Sequence, residues 1–240
     1  MNDDQQLLDE QIAYYRARAL EYDAWWFRTG RFDRGMDNNA AWRTEVALVE
    51  AAVVDVLAKS RPSTVLELAC GTGLFTRHLA PRAGAVTAVD ASPEVIAINR
   101  GRVAARNVRY VEADVFAFEP AMRYDCVFMS FWLSHVPPAR SDGVWSMVRP
   151  ALARGELVLA DRFFLSTYAY QVVGRGLPFE EVRSANKLAT AGLVPDLTIL
   201  LTVPAAIRDA RILARGGAAR IESAGDAFPA SVARAVNACA

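Results

Sequence analysis

The chain has 240 residues, 53% of them apolar, with 27 basic and 27 acidic residues and a formal net charge of zero. That length suits one large α/β domain or two small ones with a sizeable core. Balanced charge leaves no basic face of the kind nucleic acid requires, and no apolar run approaches the roughly 20 residues of a membrane helix. The polar start, Met1 to Gln6, is unlike a signal peptide. Three widely spaced cysteines, Cys70, Cys126 and Cys239, form no CxxC or zinc pattern. Together these features point to a reducing cytoplasm.

Residues ~4–22 read as a helix, followed by an aromatic and charged cluster, Tyr22-Asp23-Ala24-Trp25-Trp26-Phe27. Residues ~30–40 are polar and read as a loop. Over ~42–59, Val46, Val49, Val53, Val56 and Leu57 fall on one helical face, and Arg61-Pro62-Ser63 ends that helix. Strands and helices then alternate. Strands are expected at 65–69, 85–89, 108–112, 126–130 and 157–160, with helices from 74, from Ser92-Pro93 (serine cap, proline in the first turn) and over ~138–152. This rhythm predicts a parallel sheet with helices on both faces. After Asp161 it changes. Two short helical stretches split at 174–178 are expected within ~163–191, then a strand over 196–203, a helix over ~204–214 and a helical, alanine-rich end.

The segment Val65-Leu66-Glu67-Leu68-Ala69-Cys70-Gly71-Thr72-Gly73 follows a strand and opens a helix. Gly71 and Gly73 let the backbone approach a ligand where a β-carbon would clash. Glu67 places a carboxylate beside the turn. Asp90 ends the next strand, where it can accept two hydrogen bonds from a ribose diol, and Asp114 follows the third strand, within reach of an adenine amino group. A dinucleotide fingerprint would need glycine at position 76, where Thr76 stands. An acid before the turn suits a ligand carrying a sulfonium and an ammonium.

These residues resemble class I S-adenosylmethionine-dependent methyltransferases over residues ~10–155. The resemblance implies a doubly wound, Rossmann-like, mostly parallel α/β sheet. It also implies a cofactor site in which Glu67, Gly71, Thr72 and Gly73 meet the methionine end, Asp90 the ribose, and Asp114 and Val115 the adenine. Ala69 replaces the glycine commoner in the family. Methyl transfer chiefly requires an aligned acceptor and excluded water, and a base only for acceptors that arrive protonated. His135, after the fourth strand, is the candidate base, or else a loop histidine bonded to backbone. Tyr22, Trp26 and Phe131 are the candidate acceptor contacts. The N-terminal aromatics, with Tyr14, Tyr15 and Trp25, form either a lid on the acceptor or a packed core.

A second constellation, Asp161-Arg162-Phe163-Phe164-Leu165-Ser166-Thr167-Tyr168-Ala169-Tyr170-Gln171, is similar to the central motif of thymidylate kinases. Gly174-Arg175-Gly176, the run from Ala185 to Thr190, the run from Pro195 to Leu201, and Arg220-Ile221-Glu222 extend the likeness over ~149–235. It implies Asp161 near a magnesium–phosphate site, Arg162 on the nucleotide's phosphate, Thr167 and Gln171 facing thymine, and Arg215 and Arg220 as lid arginines. The kinase's phosphate cradle, G-x-x-x-x-G-K-[ST], is absent: the two lysines, Lys59 and Lys187, follow no glycine.

The expectation is therefore a chimera: residues 1–155 methyltransferase-like, and residues 156–240 a thymidylate-kinase-like segment forming an α/β edge on the same sheet. Its expected activity is methyl transfer from S-adenosyl-L-methionine to a small molecule, with no metal, nucleic acid or membrane partner. The alternative is a kinase-like protein that binds thymidine monophosphate and lacks a donor site.

Overall fold

A computed structural model describes residues 13–14, 16–132, 136, 140–152, 157–160, 168, 171–172, 175–189 and 192. The chain divides into two compact units. One contains residues 1–33 and 41–161, the other residues 34–40 and 162–240.

The first unit is built on five parallel strands: β1 (Thr64–Leu68), β2 (Ala85–Asp90), β3 (Val108–Glu112), β4 (Cys126–Met129) and β5 (Leu157–Ala160). Their order is β3-β2-β1-β4-β5, and every pairing is parallel. Strand order reverses between β1 and β4, so a crevice opens at the carboxyl ends of these strands, where ligands bind in open α/β sheets. β4 is apolar and buried throughout, and β1 is buried from Val65 onward, as expected of strands covered on both faces.

The helices, in chain order, are α1 (Ala19–Trp26), α2 (Met36–Ser60), α3 (Thr76–Leu79), α4 (Pro93–Val103), α5 (Ser141–Leu152) and α6 (Phe179–Ala189). On α2, Leu57 is fully buried, and Val46, Val49 and Val53 pack against the core cluster of Trp26, Val65, Phe75, Leu79 and Phe128. That is the predicted face. Arg61, at φ +47, ends the helix where Pro62 follows. At α4, the Ser92 Oγ accepts the Val95 N–H at 3.3 Å, the expected N-cap.

Three boundaries differ from the sequence reading. The aromatic cluster is the last turn of α1 rather than a segment after it. Residues 30–40 are not all loop: a 3₁₀ turn occupies Gly30–Phe32 and α2 begins at Met36. The Asn38 side chain donates to the Arg34 carbonyl, and the Asn39 side chain accepts from the Arg34 N–H, so polar residues that read as loop instead close the helix start. The helix expected from residue 74 begins at Thr76, because Leu74 and Phe75 complete the glycine turn.

In the second unit, α6 forms where expected after the break at 174–178. The Pro178 carbonyl accepts the Glu181 and Val182 N–H groups at its start, and Gly192 at φ +78 donates to the Lys187 carbonyl after its end. Tyr168 stacks on Phe179 with ring centroids 5.1 Å apart. The expected strand at 196–203 and the helices after it lie outside the described residues.

Candidate functional site

The glycine turn joins β1 to α3 at the switch point. Ala69 and Gly71 both adopt left-handed backbone, at φ +53 and +52, and Gly73 lies at +86. For alanine this conformation costs roughly 1–2 kcal/mol, which is the price of lacking the family's usual glycine at 69. Asp90, at the end of β2, holds the turn. Its Oδ2 accepts the Gly71 N–H at 2.9 Å and its Oδ1 accepts the Ser92 N–H at 3.0 Å. Burial raises the Asp90 pKa, and these backbone donors partly offset the rise. Asp114 follows β3 and accepts the Phe116 N–H at 3.0 Å, which turns the chain and buries Val115. Glu67, the glycine turn, Asp90, Asp114 and Val115 therefore share one edge of the sheet, the carboxyl ends of three adjacent strands.

Glu67 is 2% exposed, and its Oε2 accepts the Thr76 hydroxyl at 2.7 Å. Burial pushes its pKa up to about 8; the Thr76 hydrogen bond opposes this and the nearby Asp90 charge adds to it. The carboxylate expected beside the turn is thus largely protonated at neutral pH. The folded state holds this proton more tightly than the unfolded chain does. The resulting stabilisation is complete below the ordinary pKa of 4.5 and is lost as pH rises toward about 8. Stability should fall across that window by up to about 1.4 kcal/mol per pH unit. Glu67→Gln, which mimics the protonated acid, should flatten the slope. Urea unfolding of both proteins at pH 5, 6.5 and 8 checks this, and parallel slopes would refute it. Burial likewise holds the Cys70 thiol well above its usual pKa, so it is no nucleophile at neutral pH.

The cleft above the turn is lined by Tyr22, Glu67, Ala69, Gly71, Thr72, Phe75, Phe128, Ser130 and Phe131 among others, with no lysine or arginine among the described residues. Among the described residues a polyphosphate has no counter-charge there, whereas a cationic ligand without phosphate meets aromatic faces, with Glu67 beside them as a largely neutral carboxyl. The residues present therefore fit an adenosyl sulfonium. Tyr22 and Phe131 lie on the cleft wall. Trp26 does not. It is 3% exposed, with its ring edge-to-face against Phe75, Phe131 and Trp42, and its carbonyl accepts the Trp42 indole N–H at 2.7 Å. Of the aromatic cluster, Tyr22 lines the cleft and Trp26 belongs to the core.

His135, Asp161, Arg162, Thr167, Arg215 and Arg220 lie outside the described residues. Gln171 is partly buried in the second unit, where its carbonyl accepts the Leu177 N–H at 3.0 Å.

Two residues that the sequence reading passed over hold the turn from behind. Asn99, fully buried on α4, donates to the Thr76 Oγ1 at 2.8 Å, the Gly71 carbonyl at 3.2 Å and the Cys70 carbonyl at 3.4 Å, and accepts the Tyr110 hydroxyl at 2.9 Å. One turn later, Arg102 donates to the Thr72 carbonyl at 2.6 Å and pairs with Asp23 of α1. The available signal was periodicity: Asn99 follows Ile96 by three residues on the inward face of α4, a polar residue in a core position.

Residues 65–155 match the model of a methyltransferase domain, and residues 137–239 match that of thymidylate kinase. The solved structure of a DhpI–SAH complex is 41% identical over 63% of this chain and 67% of that one, with a TM-score of 0.50. A DhpI–SAM–HEP complex is 40% identical over 63% and 64%, also at 0.50. The thymidylate kinase of Desulforudis audaxviator (strain MP104C) is 57% identical over 74 residues, 31% of this chain and 34% of that protein. That of Pseudomonas putida (strain GB-1) is 44% identical over 97 residues, 40% and 46%. The chain thus spans about a third to a half of the length of the curated relatives it matches. The two family matches overlap over 137–155, so the kinase likeness begins upstream of the expected ~149. With the parallel sheet, the glycine turn and the matching structures in hand, the chain belongs to the class I S-adenosylmethionine-dependent methyltransferases, with a partial thymidylate kinase sequence over its C-terminal part.

Proposed function

We propose that the chain binds S-adenosyl-L-methionine and transfers its methyl group to a small-molecule acceptor. The observation that carries this reading is the cleft itself, an aromatic wall without a basic residue among the described residues, set over a glycine turn at the switch point. The cofactor supplies an already activated methyl on sulfur. Glu67, Gly71, Thr72 and Gly73 would hold its methionine end, Asp90 the ribose, and Asp114 and Val115 the adenine. Tyr22 and Phe131 would face the acceptor and exclude water, which strengthens the alignment on which in-line transfer depends. His135 is the base for an acceptor that arrives protonated. Residues 1–155 form the methyltransferase part in this reading, and residues 156–240 a kinase-like segment. Among the described residues no helix is long and apolar enough to cross a membrane, and the cytoplasm is the proposed location.

Asp90→Ala should weaken cofactor binding by roughly 1.5–3 kcal/mol, the order for losing hydrogen bonds to a charged group. Calorimetric titration with S-adenosylmethionine measures it, and equal affinity in the two proteins would remove Asp90 from the site. A second reading rests on the identity to thymidylate kinases, 57% over 74 residues. In it Asp161, Arg162, Thr167, Gln171, Arg215 and Arg220 hold thymidine monophosphate. Titrating the whole chain with S-adenosylmethionine and separately with thymidine monophosphate distinguishes the two readings.

A further inference from the structure

The glycine turn has two faces. One lines the cleft; the other is gripped by α4. Asn99 and Arg102, one helical turn apart, draw in three successive carbonyls, those of Cys70, Gly71 and Thr72. Arg102 also reaches a second element. It pairs with Asp23 on α1, while the Thr72 hydroxyl donates to the other oxygen of Asp23 at 2.7 Å and accepts from Arg102 at 3.1 Å. Asp23, Thr72 and Arg102 thus close a three-membered ring of hydrogen bonds. Thr72 is 1% exposed, and the side chains of Arg102 and Asp23 are 19% and 25% exposed, so the charges are partly desolvated. Charge-assisted bonds in that setting are stronger and more directional than surface pairs. Tyr22, next to Asp23, lines the cleft.

We infer that Arg102 is a positioning residue that couples the cofactor turn to the seating of α1: with Asp23 it makes the turn's ligand-binding shape and the place of Tyr22 on the cleft wall depend on each other. The inference rests on the methyltransferase reading of the cleft. A second tie between the same regions is a built-in control. Arg16 forms an ion pair with Glu94 at 3.1 Å, about two helical turns from Asp23 and Arg102 respectively, but both side chains are nearly half exposed and neither touches the turn.

The test uses the whole chain and S-adenosylhomocysteine, the stable product, titrated by calorimetry with tryptophan fluorescence followed in parallel. Wild type should bind with a fluorescence change. Asp23→Asn and Arg102→Gln should each weaken binding tenfold or more and diminish that change. The double variant should be no worse than the poorer single one, since both break one unit. Arg102→Lys, which keeps a charge toward Asp23 but has no fork to reach the Thr72 carbonyl as well, should fall between. Arg16→Gln should stay within twofold of wild type. Independent of any variant, hydrogen exchange of α1 amides in wild type should slow when the ligand is bound. Wild-type binding with unchanged affinity in Asp23→Asn, additive single effects, or α1 exchange indifferent to ligand would each overturn the coupling alone. Failure of wild type to bind would overturn the cofactor reading and the coupling with it.

Discussion

Gly73→Ala is expected to lower stability by about 2–5 kcal/mol and to abolish cofactor binding. A β-carbon at Gly73 would stand 2.4 Å from the Asn99 Oδ1 and 3.2 Å from the Asn99 Cα, closer than packed atoms tolerate. Asn99 has no room to yield. Its amide is held by Thr76, Gly71 and Cys70, and its oxygen by Tyr110. Left-handed backbone at φ +86 contributes roughly 1–2 kcal/mol of the loss and overpacking roughly 1–3. Gly71→Ala is the internal comparison. Gly71 is also left-handed, but a β-carbon there meets nothing within 4 Å, so only the backbone term applies to its stability. Denaturant unfolding separates the two variants, and equal losses would mean that Asn99 does not brace the turn. The requirement for glycine at 73 therefore comes from protein packing, whereas at 71 the open space faces where a ligand would lie.

The second large effect is an absence of turnover. ATP-dependent phosphorylation of thymidine monophosphate should be undetectable, although the C-terminal part is similar to thymidylate kinases. Asp161, Arg162, Thr167 and Gln171 would supply acceptor-side groups only. Phosphoryl transfer depends on positioning and charge stabilisation of the transferred group, usually by a glycine-rich cradle and its lysine. Neither lysine of this chain is placed to substitute. Lys59 ends α2, paired with Asp55 at 2.6 Å, Lys187 lies within α6, and neither follows a glycine. The turn at 71–73 is too short to wrap a triphosphate and is pinned to α4 by its carbonyls. Losing electrostatic stabilisation of this kind typically costs several kcal/mol, hence orders of magnitude in rate. Radiolabel transfer from ATP at saturating monophosphate and magnesium measures it. Turnover that Arg162→Ala abolishes would reveal a donor site elsewhere in the chain.

Much of this molecule could be read without coordinates, because the signals were local. Short apolar strands alternating with helices determined the parallel sheet, and the five strands expected before Asp161 formed within a residue or so of their expected bounds. Ser92-Pro93 determined the start of α4, since a cap is a contact between near neighbours. The glycine turn, Asp90 and Asp114 could be placed along one edge of the sheet because each ends or follows a strand, and strand ends converge at a switch point whatever the loops do. Tertiary structure alone decided what lies far apart in sequence. It put Trp26 in the core and Tyr22 on the cleft, although the two are four residues apart on one helix and chemically alike. It buried Glu67 deeply enough to hold its proton, a property of the whole surrounding shell rather than of the motif. It brought Asn99 and Arg102 onto Cys70, Gly71 and Thr72, and Asp23 onto Arg102 across 79 positions of chain. Hydrogen bonds of that range depend on how helices dock on a sheet, and no periodicity of one segment encodes the docking partner of another.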